Sequence, residues 1–278
     1  MGLVQHFLWN TMVNLQGSAI KAKLAKRPDD GGVIEYYYDR PNGSQILVFV
    51  CTGKARVNDD AALKNWSSFL EPHVPCAVMI HNYPGRGKSS NCRYKDSSQI
   101  SIEEQILEDN QTLLQLLRDD GWAMSQIVLI GNSIGNGPVV DMLCDAKEPF
   151  AHTILISPYK NLHSLSIFLE VAKHLGSSEA AAFNSYSKLQ ELVKSDTKQP
   201  VSLISSDGDA TISSKHSEDI FRIKNCWCTW YSLQGVSHRH TRPAARDVIS
   251  GIVRDPKTQP NKKVDIAASS ILQVDGSD

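Results

Sequence analysis

The pentapeptide Gly131-Asn132-Ser133-Ile134-Gly135 is the part of this sequence that most restricts the fold. An apolar run at residues 127–130 precedes it, and a helix-like stretch at 138–143 follows it. This order predicts a strand, a tight turn that strains the backbone of Ser133, and a helix. The glycines leave room where a Cβ would collide with the neighbouring strand and helix. The serine hydroxyl is therefore expected above a sheet edge, beside helix N–H groups that can stabilise an oxyanion.

Strand and helix patterns alternate from residue 31 onwards. Runs rich in apolar, β-branched and aromatic residues predict strands at 33–38, 45–51, 76–81, 127–130, 153–156, 201–205 and 226–233. Helices are predicted at 61–70 and from the capping box of Ser101 and Glu104 to Gly121. Strands that alternate with helices indicate an α/β fold whose mostly parallel, doubly wound sheet is covered on both faces.

Residues 1–30 are predicted to form an N-terminal amphipathic helix. Five apolar residues fall on one face at helical spacing, namely Val4, Phe7, Leu8, Met12 and Leu15. Basic residues follow at positions 21, 23, 26 and 27. Two interpretations stay open. The helix packs on the domain, or residues 1–26 contact a membrane peripherally, with the basic residues at an acidic lipid surface.

The remaining chain divides into a main domain and a tail. Residues 31–254 are predicted to form one α/β domain, which suits a chain of 278 residues. Within it, residues 158–199 interrupt the alternation with helical segments near 165–175 and 179–193, so they are interpreted as a small helical cap insert. The polar residues 255–278 are predicted to be a flexible tail.

Charge and residue spacing exclude several classes of function. The net charge of −1 leaves no electrostatic footprint for nucleic acid. The six cysteines include no CxxC pair and the histidines show no metal-ligand spacing, so no metal is expected. Neither a phosphate loop of the correct spacing nor a dinucleotide-binding glycine pattern occurs, so no cofactor is expected.

The sequence also carries expectations about location. No apolar run approaches the ~20 residues of a transmembrane helix. The first residues lack a basic region followed by a small-residue cleavage site, and dispersed cysteines suit a reducing compartment. We therefore expect a cytoplasmic protein, peripheral at a membrane surface if residues 1–26 bind lipid.

Acidic and histidine residues follow later strands in an order that fits a nucleophilic serine. Such a serine needs a base to take its proton and an acid to orient that base. The predicted strand 201–205 is followed by Ser206-Asp207-Gly208-Asp209, and the strand 226–233 by a loop that reaches His238. Serine, acid and histidine thus each follow the end of a strand, in the chain order that this arrangement requires.

Several local signatures together resemble the α/β-hydrolase superfamily. Residues 82–89 (N-Y-P-G-R-G-K-S) are similar to its D-Y-x-G-x-G-x-S turn, and residues 131–138 to its G-x-S-I-G-x-x-P elbow. Ile156-Ser157-Pro158 and the segment 183–186 resemble two further family segments. The resemblance covers residues 33–253 and is closest to the branch of small serine hydrolases that includes protein depalmitoylases.

The resemblance implies an α/β-hydrolase fold and roles for individual residues. Ser133 would be the nucleophile, Asp209 the acid and His238 the base. Asp207 stays open as an alternative acid, since it follows the same strand. His240 is a competitor for the base, because Arg239 and His240 stand where the family more often has acidic or polar residues.

Two backbone N–H groups are expected to form an oxyanion hole. One belongs to Ile134, directly after the serine, and the other to Lys54 in the loop after the strand at 45–51. The family often has His-Gly and a small polar residue where this chain has Thr52-Gly53-Lys54. A cation at this position would favour a substrate that carries a carboxylate or phosphate. An unchanged substrate preference in Lys54→Ala would exclude that hypothesis.

The sequence therefore predicts a cofactor-independent serine hydrolase. It would cleave a carboxylic ester or an acyl thioester through an acyl-enzyme intermediate, and its partner would be a small-molecule or acylated-protein ester. The alternative is an α/β-hydrolase fold kept as a binding or scaffold protein with little or no turnover, because a fold does not determine a function.

Overall fold

The computed structural model describes residues 21–53, 58–70, 74–95, 98–165, 183–194, 199–225, 227–256 and 262–267. The strands in this part of the chain are β1 (Lys23–Lys26), β2 (Val33–Asp39), β3 (Ile46–Cys51), β4 (Cys76–His81), β5 (Tyr94–Lys95), β6 (Ser98–Gln99), β7 (Ile127–Asn132), β8 (His152–Ile156), β9 (Val201–Ser206), β10 (Cys228–Leu233) and β11 (Lys262–Ile266). The α-helices are α1 (Asp60–Leu70), α2 (Ile102–Asp119), α3 (Asn136–Asp145), α4 (Ser185–Leu192), α5 (Lys215–Phe221), α6 (Thr241–Ala244) and α7 (Arg246–Arg254).

Nine of these strands form a single sheet in the order β1-β2-β4-β3-β7-β8-β9-β10-β11. The pairs β1–β2 and β2–β4 are antiparallel, and every later neighbouring pair is parallel. The central strands are nearly continuous apolar runs, such as I-L-V-F-V-C in β3 and C-A-V-M-I-H in β4. Such runs are typical of parallel strands that are covered on both faces.

Two apolar layers cover the faces of the sheet, as the alternation along β7 shows. Ile127 and Leu129 belong to the layer with α2 and α3, whereas Val128 and Ile130 belong to the layer with α1 and α7. The mostly parallel, doubly wound sheet expected from the sequence is confirmed. The Ser101 hydroxyl accepts the Glu104 N–H at 3.1 Å and caps α2, as the sequence predicts.

The N-terminal helix prediction is wrong for the part of it that the structure describes. Residues 1–20 lie outside the described residues, but Lys23–Lys26 is a strand that pairs antiparallel with β2. Ala25 and Arg27 are buried, and Leu24 and Lys26 face solvent, which is the period of a strand. Pairing with β2 satisfies the backbone hydrogen-bonding groups of Lys23–Lys26. The helical spacing on which the prediction was based lies upstream, at positions 4–15.

The side chain of Arg27 is fixed inside the domain. Its guanidinium binds both carboxylate oxygens of Asp109 on α2, at 2.7 and 3.0 Å, and it donates to the carbonyls of Ser90 and Asn91. This arginine therefore belongs to the folded domain and does not extend a basic surface from the preceding residues.

The prediction of a flexible tail from residue 255 is also wrong in part. Lys262–Ile266 forms β11, which pairs in parallel with β10 at the outer edge of the sheet. Val264 and Ile266 pack against the apolar layer that contains α7, so pairing and burial together order this segment. In the predicted cap at 158–199, a short 3₁₀ turn at Leu162–Ser164 and the helix α4 are described, whereas residues 166–182 and 195–198 lie outside the described residues.

Candidate active site

The carboxyl ends of β3, β7, β8, β9 and β10 meet at one edge of the sheet. After β3 the chain adds β4 on one side, and it then returns to place β7 on the other side of β3. In open α/β sheets, ligands bind outside the carboxyl ends of strands at such a reversal of winding. Ser133 directly follows β7, at this point of the edge.

Ser133 lies in a strained turn that neighbouring glycines make possible. Its φ is +56°, in the left-handed region that a non-glycine residue rarely adopts. A Cβ on Gly131 would lie 2.8 Å from the Cα of Asn136, and one on Gly135 would overlap the carbonyl of Cys51. A Cβ on Gly53 would come within 2.9 Å of the Ser133 Cβ. These close approaches explain why the sequence requires glycine on both sides of the serine.

The buried amide of Asn136 holds the turn in place. Its Nδ2 donates to the carbonyl of Ser133 at 2.6 Å, and to the carbonyls of Ile156 and Ser157 at 2.8 and 3.2 Å. One side chain thus joins the serine to the end of β8. No sequence pattern indicates this role, because the carbonyls of Ile156 and Ser157 are distant from Asn136 in the chain.

Ser133, His238 and Asp209 form a continuous hydrogen-bonded series. His238 Nδ1 lies 2.7 Å from Asp209 Oδ2, and His238 Nε2 lies 3.0 Å from Ser133 Oγ. An ionised Asp209 only accepts, so Nδ1 carries the proton and Nε2 is free to accept the serine hydroxyl. The Asp209 side chain is fully buried, whereas the His238 side chain is 22% exposed. The imidazole therefore faces the outside while its acid partner is shielded.

Backbone and side-chain donors fix the Asp209 carboxylate. Its Oδ1 accepts the N–H groups of Thr211 and Ile212 at 2.9 and 2.8 Å, and its Oδ2 accepts the Ser157 hydroxyl at 2.9 Å. Burial acts to raise the pKa of this carboxyl. The hydrogen bonds from His238, the Ile212 N–H and Ser157 outweigh burial, so the pKa of Asp209 lies below its ordinary value. Asp209 is thus ionised near neutral pH, where its carboxylate accepts the hydrogen bond from the imidazole N–H.

Solved structures share this architecture at low sequence identity. An esterase from Pyrococcus furiosus aligns with a TM-score of 0.66 and 17% identity, over 91% of this chain and 100% of its own. A cold-adapted esterase from an Arctic intertidal metagenomic library aligns with a TM-score of 0.61 and 13% identity, over 90% and 99%. An α/β serine hydrolase homologue from Coxiella burnetii gives 0.53 and 17%, over 86% and 98%. The chain has the α/β-hydrolase fold.

No protein-family model and no curated protein matches the sequence. The three solved structures named above are 13 to 17% identical to this chain, which shows a shared fold alone.

The two alternative residues make other contacts. Asp207 Oδ1 accepts the N–H of Gly235 at 2.6 Å and joins the turns after β9 and β10. The ring of His240 contacts the Ser237 hydroxyl at 2.8 Å through Nδ1. Asp209 and His238 are therefore the pair that the α/β-hydrolase fold brings to Ser133.

The expected oxyanion donors are described in part. Ile134 follows Ser133 in a short 3₁₀ turn, and its carbonyl accepts the buried Tyr159 hydroxyl at 3.0 Å. Lys54 lies outside the described residues. The two residues before it are held close to the elbow, because the Tyr83 hydroxyl donates to the Thr52 carbonyl at 3.0 Å and Gly53 packs on the Ser133 Cβ.

The turn at 82–89 differs from the α/β-hydrolase pattern at its first residue, and a carboxylate from β2 takes the place of the missing one. Asn82 stands where the pattern has an aspartate, and its Nδ2 donates to the buried carboxylate of Glu35 on β2 at 2.8 Å. The same Glu35 oxygen accepts the Lys88 N–H at 2.7 Å, so β2 supplies the acceptor for the turn.

Among the described residues, no group of three His, Cys, Asp or Glu is placed to hold a metal ion. No helix in the described ranges is long and apolar enough to cross a bilayer.

Proposed function

We propose that this protein is a serine hydrolase that cleaves a carboxylic ester or an acyl thioester through an acyl-enzyme intermediate. The observation that carries the proposal is the series Asp209–His238–Ser133, with both contacts at 3.0 Å or less and the serine in a strained turn. A nucleophilic serine is activated by this arrangement, in which an imidazole accepts the hydroxyl proton and a buried carboxylate orients the imidazole.

The proposed reaction has two stages. Ser133 Oγ attacks the carbonyl carbon while His238 Nε2 takes its proton, and the tetrahedral intermediate carries the negative charge on the former carbonyl oxygen. His238 then gives the proton to the departing alcohol or thiol, and the acyl group stays on Ser133. Water attacks the acyl-enzyme with the same imidazole as base, which releases the acid and restores the serine. Asp209 fixes the tautomer of the imidazole and stabilises its charged form.

The oxyanion would be held by backbone donors. The N–H of Ile134 is proposed as one donor, because it follows the serine in the 3₁₀ turn that leads into α3, next to the positive N-terminal end of that helix. The N–H of Lys54 is proposed as the second donor, because Thr52 and Gly53 bring the loop against the elbow.

The apolar surroundings of the elbow favour an apolar acyl group in this proposal. A cluster of buried apolar residues contains Ile134 and side chains from the loops that follow β4, β8 and β9, among them Tyr83, Tyr159, Leu162 and Ile212. Two of the similar solved structures are named esterases. We propose that the substrate is a small-molecule ester or an acylated protein, as for the depalmitoylase branch that the motifs resemble.

Turnover of p-nitrophenyl esters of graded chain length tests the function. The full-length protein is expected to hydrolyse at least one ester, and Ser133→Ala is expected to lose about 10³-fold or more in kcat. Ser187→Ala, at an exposed position on α4, is the matched control and should retain wild-type turnover. Equal turnover in Ser133→Ala would contradict the mechanism. An inactive wild-type protein would favour the scaffold alternative.

We also propose that the protein acts in the cytoplasm and contacts a membrane peripherally through its first residues. Since Lys23–Lys26 belongs to the sheet, the contact would depend on the upstream apolar positions Phe7 and Leu8. Co-sedimentation of the full chain with anionic vesicles should decrease in a double variant that carries both Phe7→Ser and Leu8→Ser. Equal sedimentation of wild type and variant would contradict the contact.

A further inference from the structure

We infer that Ser157 is a positioning residue that acts through Asp209 and tunes the base His238. The inference deepens the proposed function and rests on it. Ser157 directly follows β8, and its hydroxyl donates to Asp209 Oδ2 at 2.9 Å. His238 Nδ1 contacts the same oxygen at 2.7 Å. The serine and the imidazole therefore share one carboxylate oxygen.

The other oxygen of the carboxylate is already fixed by the backbone. Asp209 Oδ1 accepts the N–H groups of Thr211 and Ile212, which no side-chain substitution removes. Among the side chains of the described residues, His238 and Ser157 are the ones whose hydrogen bonds to Asp209 are seen. A substitution at Ser157 can therefore change the hydrogen bonding of the Asp209 carboxylate without altering Ser133, His238 or Asp209.

Burial makes the hydroxyl contact effective. Ser157 is 1% exposed and Asp209 is 5% exposed, so bulk water does not compete for Oδ2. A hydrogen bond to an ionised group in such a dry environment is stronger than one between neutral groups. Among the described residues, His238 is the titratable side chain that contacts Asp209, whereas Arg239 and His240 are exposed and the His240 ring contacts the Ser237 hydroxyl.

The backbone of Ser157 is held in a conformation that favours glycine. Its φ is +48°, in the left-handed region. Its N–H donates to the Ile204 carbonyl at 2.7 Å, and its carbonyl accepts Asn136 Nδ2. A glycine would adopt this conformation with less strain, but it would lack the hydroxyl. The structure thus shows a strained serine whose hydroxyl is aimed at the acid of the site.

The hydroxyl affects the imidazole through the shared charge. The Ser157 O–H stabilises the negative charge on Oδ2, and the interaction of this charge with His238 is weaker as a result. Without the hydroxyl, Oδ2 would interact more strongly with the protonated imidazole. His238 would then hold its proton to higher pH, and the proportion of enzyme with a free base would decrease on the acid side.

Two substitutions of Ser157 separate the hydroxyl from the backbone strain. Ser157→Ala removes the hydroxyl and keeps the strain, whereas Ser157→Gly removes the hydroxyl and relieves the strain. In both variants the acid limb of kcat/KM is expected to move to higher pH by about half to one pH unit, since a hydrogen bond to a charge corresponds to about one to two pKa units and only part of this effect is transmitted through Asp209 to the imidazole. KM should be unchanged, because Ser157 acts on Asp209 and not on the substrate.

Ser205→Ala is the matched control, because Ser205 is a buried serine on β9 whose hydroxyl accepts Trp230 Nε1 at 2.9 Å. It loses a comparable buried bond and should leave the acid limb in place. An unmoved acid limb in both folded Ser157 variants would overturn the inference and leave the hydrolase function standing. NMR titration of the His238 imidazole in wild type and Ser157→Gly gives an independent measure. If the wild-type protein has no turnover, this titration still decides the inference, with an unchanged midpoint as the contrary result.

Discussion

His238 Nε2 lies 3.0 Å from Ser133 Oγ, although 105 positions separate the two residues in the chain. Their strands β7 and β10 are separated by β8 and β9, which places them about 14 Å apart at the usual strand spacing. The loops after β9 and β10 therefore extend back over the sheet edge and carry Asp209 and His238 towards the serine. The contact depends on the length of these two loops and on the hydrogen bond from the Gly235 N–H to Asp207 that joins them.

Asp209→Asn is expected to lower kcat by about 10³- to 10⁴-fold, because an amide at Oδ2 can donate and would favour the wrong imidazole tautomer. Asp207→Asn is the matched control two residues away, where the retained amide oxygen can still accept the Gly235 N–H. It should retain most of the wild-type kcat. Comparable losses in the two variants would show that the distinction between these carboxylates is wrong.

Gly135→Ala should destabilise the fold by at least ~3 kcal/mol and abolish turnover, because its Cβ would overlap the Cys51 carbonyl and backbone has no room to yield. Gly251→Ala is the opposite case. Nothing lies within 4 Å of its Cβ position on α7, so this substitution should stabilise the protein by ~0.5–1 kcal/mol. Urea unfolding measures both effects. A well-folded, active Gly135→Ala variant would refute the crowding at the elbow.

Asn136→Asp should destabilise the protein more than Asn136→Ala at neutral pH. The aspartate keeps the size of the side chain but faces the carbonyls of Ser133, Ile156 and Ser157, to which it cannot donate when ionised. The loss for Asn136→Ala is expected to be ~2–3 kcal/mol, because buried acceptors lose their donor. Thermal and urea unfolding check the order of the two variants, and the reverse order would contradict the role of Nδ2.

Replacement of His81 should change the pH dependence of stability. His81 is buried between Phe49 and Tyr83, and neither ring nitrogen has a hydrogen-bond partner in the described part of the chain. Burial lowers its pKa to about 4. The unfolded chain takes a proton below pH ~6.5 and the folded chain does not, so wild-type stability is lost as the pH falls through this window.

His81→Leu removes this contribution. Between pH 6.5 and 4, the wild type should lose up to about 3 kcal/mol more unfolding free energy than the variant. Buried His152, whose pKa is also lowered to about 4, and Asp109 and Asp141, whose pKa values burial raises to about 6, stay in both proteins and cancel in the comparison. Parallel stability curves for the two proteins would mean that His81 takes a proton in the folded state.

The central strands could be predicted from the sequence because their signal is local. The strand expected at 76–81 matches Cys76–His81, and the one at 153–156 differs by one residue from His152–Ile156. These runs are apolar throughout, so burial on both faces leaves little choice of structure. Lys23–Lys26 and Lys262–Ile266 were missed, since short polar edge strands are determined by their partners β2 and β10.

The site shows the same division. Ser133, Asp209 and His238 could be proposed because each follows a strand in the required order, and the structure brings them together, while their catalytic roles stay a prediction. Asp207 and Asp209 could not be separated by spacing, since both follow β9. Two further residues, Ser157 and Asn136, were missed as participants because their roles consist of contacts between distant parts of the chain.

Covalent labelling tests the central claim most directly. The full-length protein is treated with a fluorophosphonate, digested, and analysed by mass spectrometry alongside Ser133→Ala and His238→Ala. One adduct is expected on the peptide that contains Ser133, absent from Ser133→Ala and formed far more slowly in His238→Ala. An adduct at another residue, or none under conditions that label a known serine hydrolase, would contradict the assignment of Ser133 as an activated nucleophile.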